Sequence, residues 1–218
     1  MKSDNEVRNE VRILSSKVHI NGNLEIPPGT RGIVLFAHGS GSSRFSPRNT
    51  YVARLMNKQK IATLLIDLLT AEEEAVDEYT GQYRFNINLL AERLVDSTNW
   101  LKKKTAAQKL TIGYFGASTG AAAALIAAAK LPDDIKAVVS RGGRPDLASE
   151  YLLMVKAPTL LIVGGDDREV LELNKQAFAL LRSGKKLEVV PGATHLFEEP
   201  GKLEQVAKIA IAWFSKYL

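Results

Sequence analysis

The segment from Leu110 to Ala129 restricts the possible folds more than any other part of the sequence. It begins with the apolar run Leu110–Phe115, which predicts a buried strand, and ends with the alanine-rich run Ala121–Ala129, which predicts a helix. Between the two runs lies Gly116-Ala117-Ser118-Thr119-Gly120. A strand that passes into a helix through so short a turn is typical of α/β proteins, and the glycines allow a bend that larger residues would obstruct.

The rest of the chain continues this alternation of strands and helices. Val7–Ile26 predicts two antiparallel strands with a turn near Asn21-Gly22. The later predicted strands are Ile33–Ala37, Ala62–Asp67, Ala137–Ser140, Thr159–Val163 and Lys186–Val190, and the other predicted helices are Pro47–Asn57, Asn86–Lys104, Glu169–Leu181 and Leu203–Tyr217. We therefore expect a single α/β domain over residues 1–218, with a mostly parallel twisted sheet, helices on both faces and antiparallel strands at the N-terminus. The short connection after Ser140 leaves no room for a separate cap domain.

Composition limits the chemistry and the partners that we expect. The chain has no cysteine, which excludes disulfides, thiolate–metal sites and a cysteine nucleophile. Met1–Arg12 lacks the apolar core of a signal peptide and no run is apolar enough to span a bilayer, so we expect a cytoplasmic protein without a membrane partner. The net charge is +5, but Lys102-Lys103-Lys104 ends a predicted helix, where cations are favoured, so no nucleic-acid partner is expected. The sequence leaves the oligomeric state open.

Ser118 is a candidate nucleophile. In the pattern Gly-x-Ser-x-Gly, a serine between a strand and a helix is lifted clear of the sheet, at the positive end of the helix dipole. A nucleotide-binding turn is one alternative, but the glycine spacing is not that of a dinucleotide-binding or phosphate-binding loop. A purely structural turn is another alternative that the local pattern leaves open.

A serine nucleophile needs a general base and a carboxylate that orients the base. His195 follows the last predicted strand and precedes the last helix, which makes it the candidate base; we expect His38 to brace the loop after the first parallel strand and His19 to be a surface or packing residue. The strand before His195 ends in Gly164-Gly165-Asp166-Asp167, and only one of these adjacent aspartates can face the histidine. The order serine, aspartate, histidine is that of the α/β-hydrolase fold. Backbone N–H groups of Thr119 and of the loop after His38 are the expected oxyanion donors.

With these residues the chain resembles the dienelactone hydrolase-like group of the α/β-hydrolase superfamily over nearly its whole length. The matching stretches are His38–Arg44, Ser46–Asn49, Gly116–Gly120, Ser140–Asp146 and Gly192–His195. The resemblance implies an α/β-hydrolase fold and points to Ser40 as the oxyanion donor of its loop. In that group two residues and a valine follow the acid, as in Asp167-Arg168-Glu169-Val170, which favours Asp167 over Asp166. Dienelactone hydrolase itself uses a cysteine nucleophile, so a serine esterase activity is implied here and the lactone activity is not.

Arginines are the candidate substrate-binding residues. Five of them lie in loops expected around Ser118: Arg44, Arg48, Arg84, Arg141 and Arg144. They either hold a substrate carboxylate or phosphate or pair with nearby acids and fix the loops, and we favour pairing. If any bind substrate, Arg44, Arg141 and Arg144 are the candidates. Leu68–Gln82, the longest connection, is expected to form one wall of the pocket as a loop.

The sequence thus predicts a serine hydrolase that cleaves small carboxylic esters, neutral or anionic, through Ser118, His195 and Asp167 and an acyl-enzyme intermediate. We expect no metal and no cofactor, because a triad supplies the nucleophile, the base and the electrostatic stabilisation by itself. An acyltransferase or thioesterase with the same triad is an alternative. A hydrolase-fold binding protein with vestigial activity is another.

Overall fold

Strands and helices alternate along residues 9–104 and 107–218, the part of the chain that the computed structural model describes. The strands are β1 (Asn9–Ser15), β2 (Val18–Glu25), β3 (Gly32–Ala37), β4 (Ala62–Ile66), β5 (Thr111–Ala117), β6 (Ile135–Arg141), β7 (Thr159–Gly164) and β8 (Lys185–Val190). The helices are α1 (Pro47–Lys58), α2 (Ala71–Thr80), α3 (Ile87–Lys102), α4 (Thr119–Lys130), α5 (Arg168–Leu180) and α6 (Lys202–Tyr217), and a 3₁₀ segment occupies Pro145–Met154. Val7 and Arg8, which begin the predicted first strand, lie outside the described residues.

These strands form one sheet in the order β1-β2-β4-β3-β5-β6-β7-β8. β2 pairs antiparallel with both β1 and β4, and all other neighbours are parallel. The fold is therefore the predicted α/β class, with antiparallel strands at the N-terminal edge. Because β3, β5, β6, β7 and β8 run in the same direction, their carboxyl ends lie at one edge of the sheet, where open α/β sheets bind ligands.

Two apolar layers cover the two faces of the sheet. Ile33 and Leu35 of β3 face a core that contains residues of α3, α4 and α5, whereas Val34 and Phe36 face a core that contains residues of α1 and α6. Successive residues of a strand point to opposite faces, so a strand that is covered on both sides is apolar throughout, as β3 is. This continuous apolar character explains why the central strands could be predicted from the sequence.

The predicted turn at Asn21-Gly22 is wrong, because the turn of the N-terminal hairpin lies at Ser16-Lys17. Ser16 has a positive φ of 52°, as a tight two-residue turn requires, and Asn21-Gly22 lies within β2. A Cβ on Gly22 would stand 3.1 Å from Leu64 and 3.2 Å from Val11, so this glycine fits a crowded position between neighbouring strands. Strand pairing has overridden the local turn preference of Asn-Gly.

The expectation of a loop over Leu68–Gln82 is also wrong, because Ala71–Thr80 forms helix α2. Thr70 Oγ1 accepts a hydrogen bond from the Glu73 backbone N–H, and the Glu73 carboxylate accepts one from the Thr70 N–H, which is a complete capping box. Gly81 ends the helix in the left-handed conformation, with φ 65°. This segment still lines a cavity at the carboxyl edge of the sheet, now with a rigid helix face.

The connections at this edge add short helical segments without a separate cap domain in the described residues. The 3₁₀ segment Pro145–Met154 fills the connection between β6 and β7 and packs against α4 and α5. None of the helices in residues 9–104 and 107–218 has the length and apolar character that a bilayer crossing requires.

Candidate active site

A cavity of about 180 Å³ lies at the carboxyl ends of β3 and β5. Ser118, His195, Gly39, Ser40, Arg48 and Arg141 are among the residues that line it. We call it the arginine cavity, after its two arginines. It brings together residues from loops that are far apart in the sequence.

Ser118 stands in a strained backbone conformation between β5 and α4. Its φ of 50° and ψ of −122° are unusual for a residue with a side chain, and α4 begins at the next residue. A Cβ on Gly116 would collide with Gly120 and Ala121, and a Cβ on Gly120 would collide with the carbonyl oxygens of Ala37 and His38. The two glycines of the Gly-x-Ser-x-Gly pattern therefore let the turn close tightly against β3, and the turn directs Ser118 into the cavity.

Asp167 and His195 form a hydrogen-bonded pair. Asp167 Oδ2 lies 2.7 Å from His195 Nδ1, and Asp167 is the residue before the first turn of α5. Asp166 is exposed, and its backbone N–H donates to the carbonyl oxygen of Ala193. The structure thus brings Asp167 to the histidine and turns Asp166 away from it. Contact with Nδ1 leaves Nε2 of the ring for a second partner.

Ser118 and His195 line the same cavity without a direct bond between them. In the described part of the chain, no hydrogen bond joins the Ser118 hydroxyl to the His195 ring. Bonds of this kind are often long in a free enzyme and shorten when substrate binds. The loop of His195 is held by Glu199, whose carboxylate accepts hydrogen bonds from the backbone N–H of Thr194 at 3.0 Å and from its hydroxyl at 2.5 Å.

The two predicted oxyanion donors, Ser40 and Thr119, are neighbours. The N–H of Thr119 is at the first turn of α4, where backbone donors lack partners within the helix. The N–H of Ser40 donates to Thr119 Oγ1 at 3.0 Å, and the two hydroxyls lie 2.9 Å apart. The structure therefore places both donors beside Ser118, with the one on Ser40 occupied by a side-chain hydroxyl.

His38 braces the loop that carries Ser40. Its Nδ1 lies 2.9 Å from the carbonyl oxygen of Gly39, and its Nε2 accepts a hydrogen bond from the backbone N–H of Leu68 at 3.0 Å. Accepting at Nε2 requires a neutral ring with the proton on Nδ1. Burial lowers the pKa of His38, in agreement with a neutral ring, although the Gly39 carbonyl opposes that shift. His19, by contrast, is exposed on β2.

Four of the five loop arginines are paired with acids, and Arg48 is one of them, with Glu198 at 2.6 Å. Arg84 binds Asp77, with 2.5 Å between Nε and Oδ2. Arg44 pairs with Asp67 and with Glu10, the latter at 2.6 Å. Arg144 holds Asp146 through two bonds of 2.9 and 2.7 Å. Neither Arg44 nor Arg144 lines the arginine cavity, so these two candidates for substrate binding are held elsewhere by their carboxylate partners.

Arg141 differs from the others because it lacks an acidic partner among the described residues. It is 6% exposed, and its one hydrogen bond is a long one of 3.5 Å to the carbonyl oxygen of Leu196. Burial, together with the nearby charge of Arg48, lowers the pKa of Arg141 to about 10. The group is therefore still a cation at neutral pH, and it lines the cavity that contains Ser118.

A second cavity of about 240 Å³ adjoins the loop that carries Ser40. Gly39, Ser40 and Ser42 line both cavities. Leu68, Leu69 and Leu90 give the second cavity an apolar wall, and Glu74 and Glu78 of α2 add carboxylates. We call it the acidic cavity. Desolvation raises the pKa of Glu74, and the nearby negative charges of Asp67 and Glu78 raise it further.

Sequence reasoning counted Arg48 among the five arginines expected around Ser118 but left it out of the three substrate-binding candidates, and it did not consider Asn49 as a site residue. Both belong to the first turn of α1 and line the arginine cavity, and Asn49 is 3% exposed with no hydrogen-bond partner for Oδ1 among the described residues. The signal was available in Ser46-Pro47, which predicts a helix that begins at this edge of the sheet. In the described residues no three His, Asp or Glu side chains are grouped as ligands for a metal ion.

The chain is similar to a known protein family and to two curated proteins. A model of the family described as "Dienelactone hydrolase family" matches residues 52–216. The chain is also 56% identical over 209 residues to proteins of Mycobacterium tuberculosis strains CDC 1551 and H37Rv that are provisionally named phosphoribosyl transferases. This match takes in 96% of the chain, which spans 46%, or about half, of the length of these relatives.

Solved structures show the same architecture. The dienelactone hydrolase of Anabaena variabilis ATCC 29413 is 56% identical, with a TM-score of 0.95 over 97% of this chain and 98% of that one. Est1E from Butyrivibrio proteoclasticus has a TM-score of 0.80 over 95% of this chain and 98% of its own, at 16% identity. The second likeness shows a shared fold alone.

Proposed function

The chain belongs to the dienelactone hydrolase family, and we propose that it is a serine hydrolase that cleaves small carboxylic esters. One observation carries the proposal: the strained Ser118 opens into the same cavity as His195, whose Nδ1 is held at 2.7 Å by Asp167. A turn with a purely structural role gives no reason to hold a serine in a strained backbone conformation next to a histidine–aspartate pair.

In the proposed reaction His195 Nε2 takes the proton of Ser118, and the serine oxygen attacks the ester carbonyl. Asp167 keeps the proton of the neutral ring on Nδ1 and stabilises the imidazolium that forms. The oxyanion receives hydrogen bonds from the N–H of Thr119 and from the N–H of Ser40, which the Thr119 hydroxyl must first release. A single such donor contributes about 3–4 kcal/mol to transition-state stabilisation. His195 then protonates the leaving alcohol, and water releases the acyl group.

An acyltransferase or a thioesterase would use the same three residues and differ in the acceptor or the leaving group. A binding protein with vestigial activity would not need Asp167 and His195 in contact. The name phosphoribosyl transferase belongs to relatives of which this chain spans 46%. We assign no phosphoribosyl transfer to the chain, because the arrangement at Ser118 suits acyl transfer to a serine.

Hydrolysis of 4-nitrophenyl acetate and butyrate by the wild type and by Ser118→Ala tests the proposal. We expect Ser118-dependent release of 4-nitrophenol, and a burst of product equal to the enzyme concentration if deacylation is slow. Equal activity in the wild type and the variant, or an inactive wild type, would refute the serine hydrolase.

The adjacent aspartates provide a matched pair for the triad. Asp167→Asn should lower kcat by about 10⁴-fold, because the amide NH₂ can donate to Nδ1, which moves the ring proton to Nε2 and leaves the histidine in the wrong tautomer. Asp166→Asn should change kcat by less than about 2-fold, since this exposed residue does not contact His195. Similar losses in the two variants would contradict the assignment of Asp167.

A further inference from the structure

Strand β8 lies at one end of the sheet, and no described strand pairs with its outer edge. Two of its flanking and terminal carbonyl oxygens, of Gly184 and Val190, accept hydrogen bonds from β7 and from the residue that follows β7. Backbone groups along a strand alternate in direction, so the even-numbered residues of β8 direct their N–H and C=O groups to β7. The N–H and C=O groups of Lys185, Leu187 and Val189 therefore point away from the sheet, where they can pair with a further strand.

The features that normally protect such an edge are missing from β8 or engaged elsewhere. Lysine on an edge strand usually prevents pairing through its charge. Here Lys185 Nζ donates to two carbonyl oxygens at the end of α5, at 2.6 Å each. Lys186 pairs with Glu188 of the same strand. β8 contains no proline, and its register with β7 is continuous, so its outer edge remains able to pair.

The sequence of β8 is complementary to itself in charge when two copies run antiparallel. Lys186 and Glu188 lie on either side of Leu187, so a two-fold axis at Leu187 places Lys186 of each copy opposite Glu188 of the other. Directly opposite residues have Cβ atoms about 4.5–5.5 Å apart, within reach of an ion pair. The same axis sets Leu187 opposite its counterpart and Lys185 opposite Val189, which are the residues with outward-facing backbone groups. Charge and hydrogen bonding thus favour the same register.

A groove of about 340 Å³ beside this edge leaves room for the side chains of a second copy. It lies between β8 and α6, and its lining includes Lys186, Glu188, Ile209 and Trp213. A two-fold axis perpendicular to the sheet keeps α6 of both copies on the same side, so the lysines and glutamates of the two copies meet beside this groove. On the other face of β8, Val189 is 40% exposed, and pairing would cover it.

We propose that two copies of the chain form a dimer through antiparallel pairing of their β8 strands, centred on Leu187. The contact joins two eight-stranded sheets into one continuous sheet. It is one strand long, so the dimer is weak and its population depends on protein concentration. β6 and β7 separate β8 from β5, so the contact leaves the cavity of Ser118 open, and the inference does not depend on the proposed function.

Sedimentation velocity of the wild-type protein tests for the dimer. We expect the fraction with twice the mass of the chain to rise between about 1 µM and about 200 µM protein. Val189→Pro should abolish this rise, because proline removes an outward-facing N–H that β7 does not use. A wild-type protein that stays monomeric over the whole range would overturn the proposal.

Charge reversal tests the register of the pairing. Lys186→Glu and Glu188→Lys each place like charges opposite one another at two positions, and each should raise the Kd of the dimer by about 10-fold or more. The double variant Lys186→Glu/Glu188→Lys restores opposite charges and should dimerise as the wild type does. An equimolar mixture of the two single variants should form a heterodimer for the same reason.

These two rescues separate a lost contact from a misfolded chain. Lys102→Glu is the control, because it reverses one charge of an ion pair with Asp134 on α3, which packs against β1 and α4 and not against β8. This variant should dimerise like the wild type. A dimer that persists unchanged in both single variants at β8, or single variants that neither the double variant nor the mixture rescues, would overturn the proposal.

Residue-resolved hydrogen exchange identifies the edge itself. The amide hydrogens of Leu187 and Val189 should exchange more slowly at about 200 µM than at about 1 µM protein, because they bond to the second copy. Those of Lys186 and Glu188 already face β7 and should change much less. A concentration-dependent dimer without slower exchange at Leu187 and Val189 would place the interface elsewhere and refute the pairing of β8.

Discussion

At the scale of single residues, Thr119 has two roles that oppose each other. Its backbone N–H is a proposed oxyanion donor, and its hydroxyl accepts the hydrogen bond of the other donor, Ser40, at 3.0 Å. The free site is thus satisfied internally, and a substrate oxyanion must displace that hydroxyl to gain the Ser40 N–H. The cost of the displacement is that of a neutral hydrogen bond, about 0.5–1.5 kcal/mol.

We therefore predict that Thr119→Val raises kcat/KM for 4-nitrophenyl acetate by about 2- to 10-fold, because the Ser40 donor is then free in the ground state. Thr119→Ser, which keeps the hydroxyl, should stay close to the wild type. A fall of about 10-fold in Thr119→Val would mean that the hydroxyl itself assists the reaction.

His38, which braces the loop that carries Ser40, makes the free energy of unfolding depend on pH. Burial lowers its pKa below the ordinary value of 6.5, so between the two pKa values the unfolded chain binds a proton that the folded chain does not. The free energy of unfolding should consequently decrease as the pH falls below 6.5, and this contribution is fully present above that value. In His38→Gln, whose amide can still donate and accept, urea unfolding should lose less stability between about pH 7.5 and about pH 5 than in the wild type. Parallel curves for the two proteins would contradict this assignment.

The part of the candidate site that could be predicted from sequence is the placement of its residues at strand ends. Ser118, Asp167 and His195 follow three strands in the order of the fold, and the structure brings the last two into contact. Pairing of the loop arginines with acids was favoured from the sequence, but the arginine that lacks an acidic partner could not be predicted, because pairing depends on which carboxylate lies nearby in space. Arg44 meets Glu10 from a distant strand, whereas Arg141 meets no acid in the described residues.

At the scale of elements, the turn from β5 to α4 depends on a close approach to β3. A side chain at Gly120 would collide with the carbonyl oxygens of Ala37 and His38, which are backbone atoms and cannot rotate away. Moving them would displace the loop that carries Ser40. A change in the turn is therefore expected to displace the loop that carries Ser40 as well.

We predict that Gly120→Ala lowers the free energy of unfolding by about 1–3 kcal/mol and esterase activity by at least about 100-fold. Gly184→Ala is the matched control, since its Cβ would stand 3.9 Å from Pro158, an ordinary contact. Thermal unfolding and hydrolysis of 4-nitrophenyl acetate measure the two effects. Wild-type behaviour of Gly120→Ala would show that the turn has more room than the geometry indicates.

Element boundaries were predictable where a strand or helix has strong periodicity and a clear cap, as α1 does with Ser46 and Pro47. Helix α2 was missed because its acidic sequence has few apolar residues, and its Thr70–Glu73 capping box is its clearest signal. The hairpin turn was misplaced because Gly22 serves close packing between strands. A helix cap in the first case and tertiary packing in the second determined a structure that the local sequence preference alone did not predict.

At the scale of the whole molecule, the two cores are joined through one sheet. Alternate residues of β3 belong to different cores, so neither layer of helices can separate without exposing the other face of the same strands. The described chain should therefore unfold as one cooperative unit.

We predict a single calorimetric transition, with equal calorimetric and van't Hoff enthalpies. Met56→Ala on α1 and Leu94→Ala on α3 should each lower the free energy of unfolding by about 2–5 kcal/mol, since both side chains are fully buried. Each should shift that same transition to a lower temperature. Two transitions, with each variant shifting only one, would refute a single domain.

The carboxylates of the acidic cavity also bear on how a catalytic cycle would end. Hydrolysis turns an uncharged acyl group into a free acid, which is ionised at neutral pH. Glu74 and Glu78 line a cavity that shares Gly39, Ser40 and Ser42 with the cavity of Ser118, so the new negative charge would form near two carboxylates. Like charges repel, so the acid product should be held less well than the neutral ester from which it forms. Turnover would then be protected from inhibition by its own acid product.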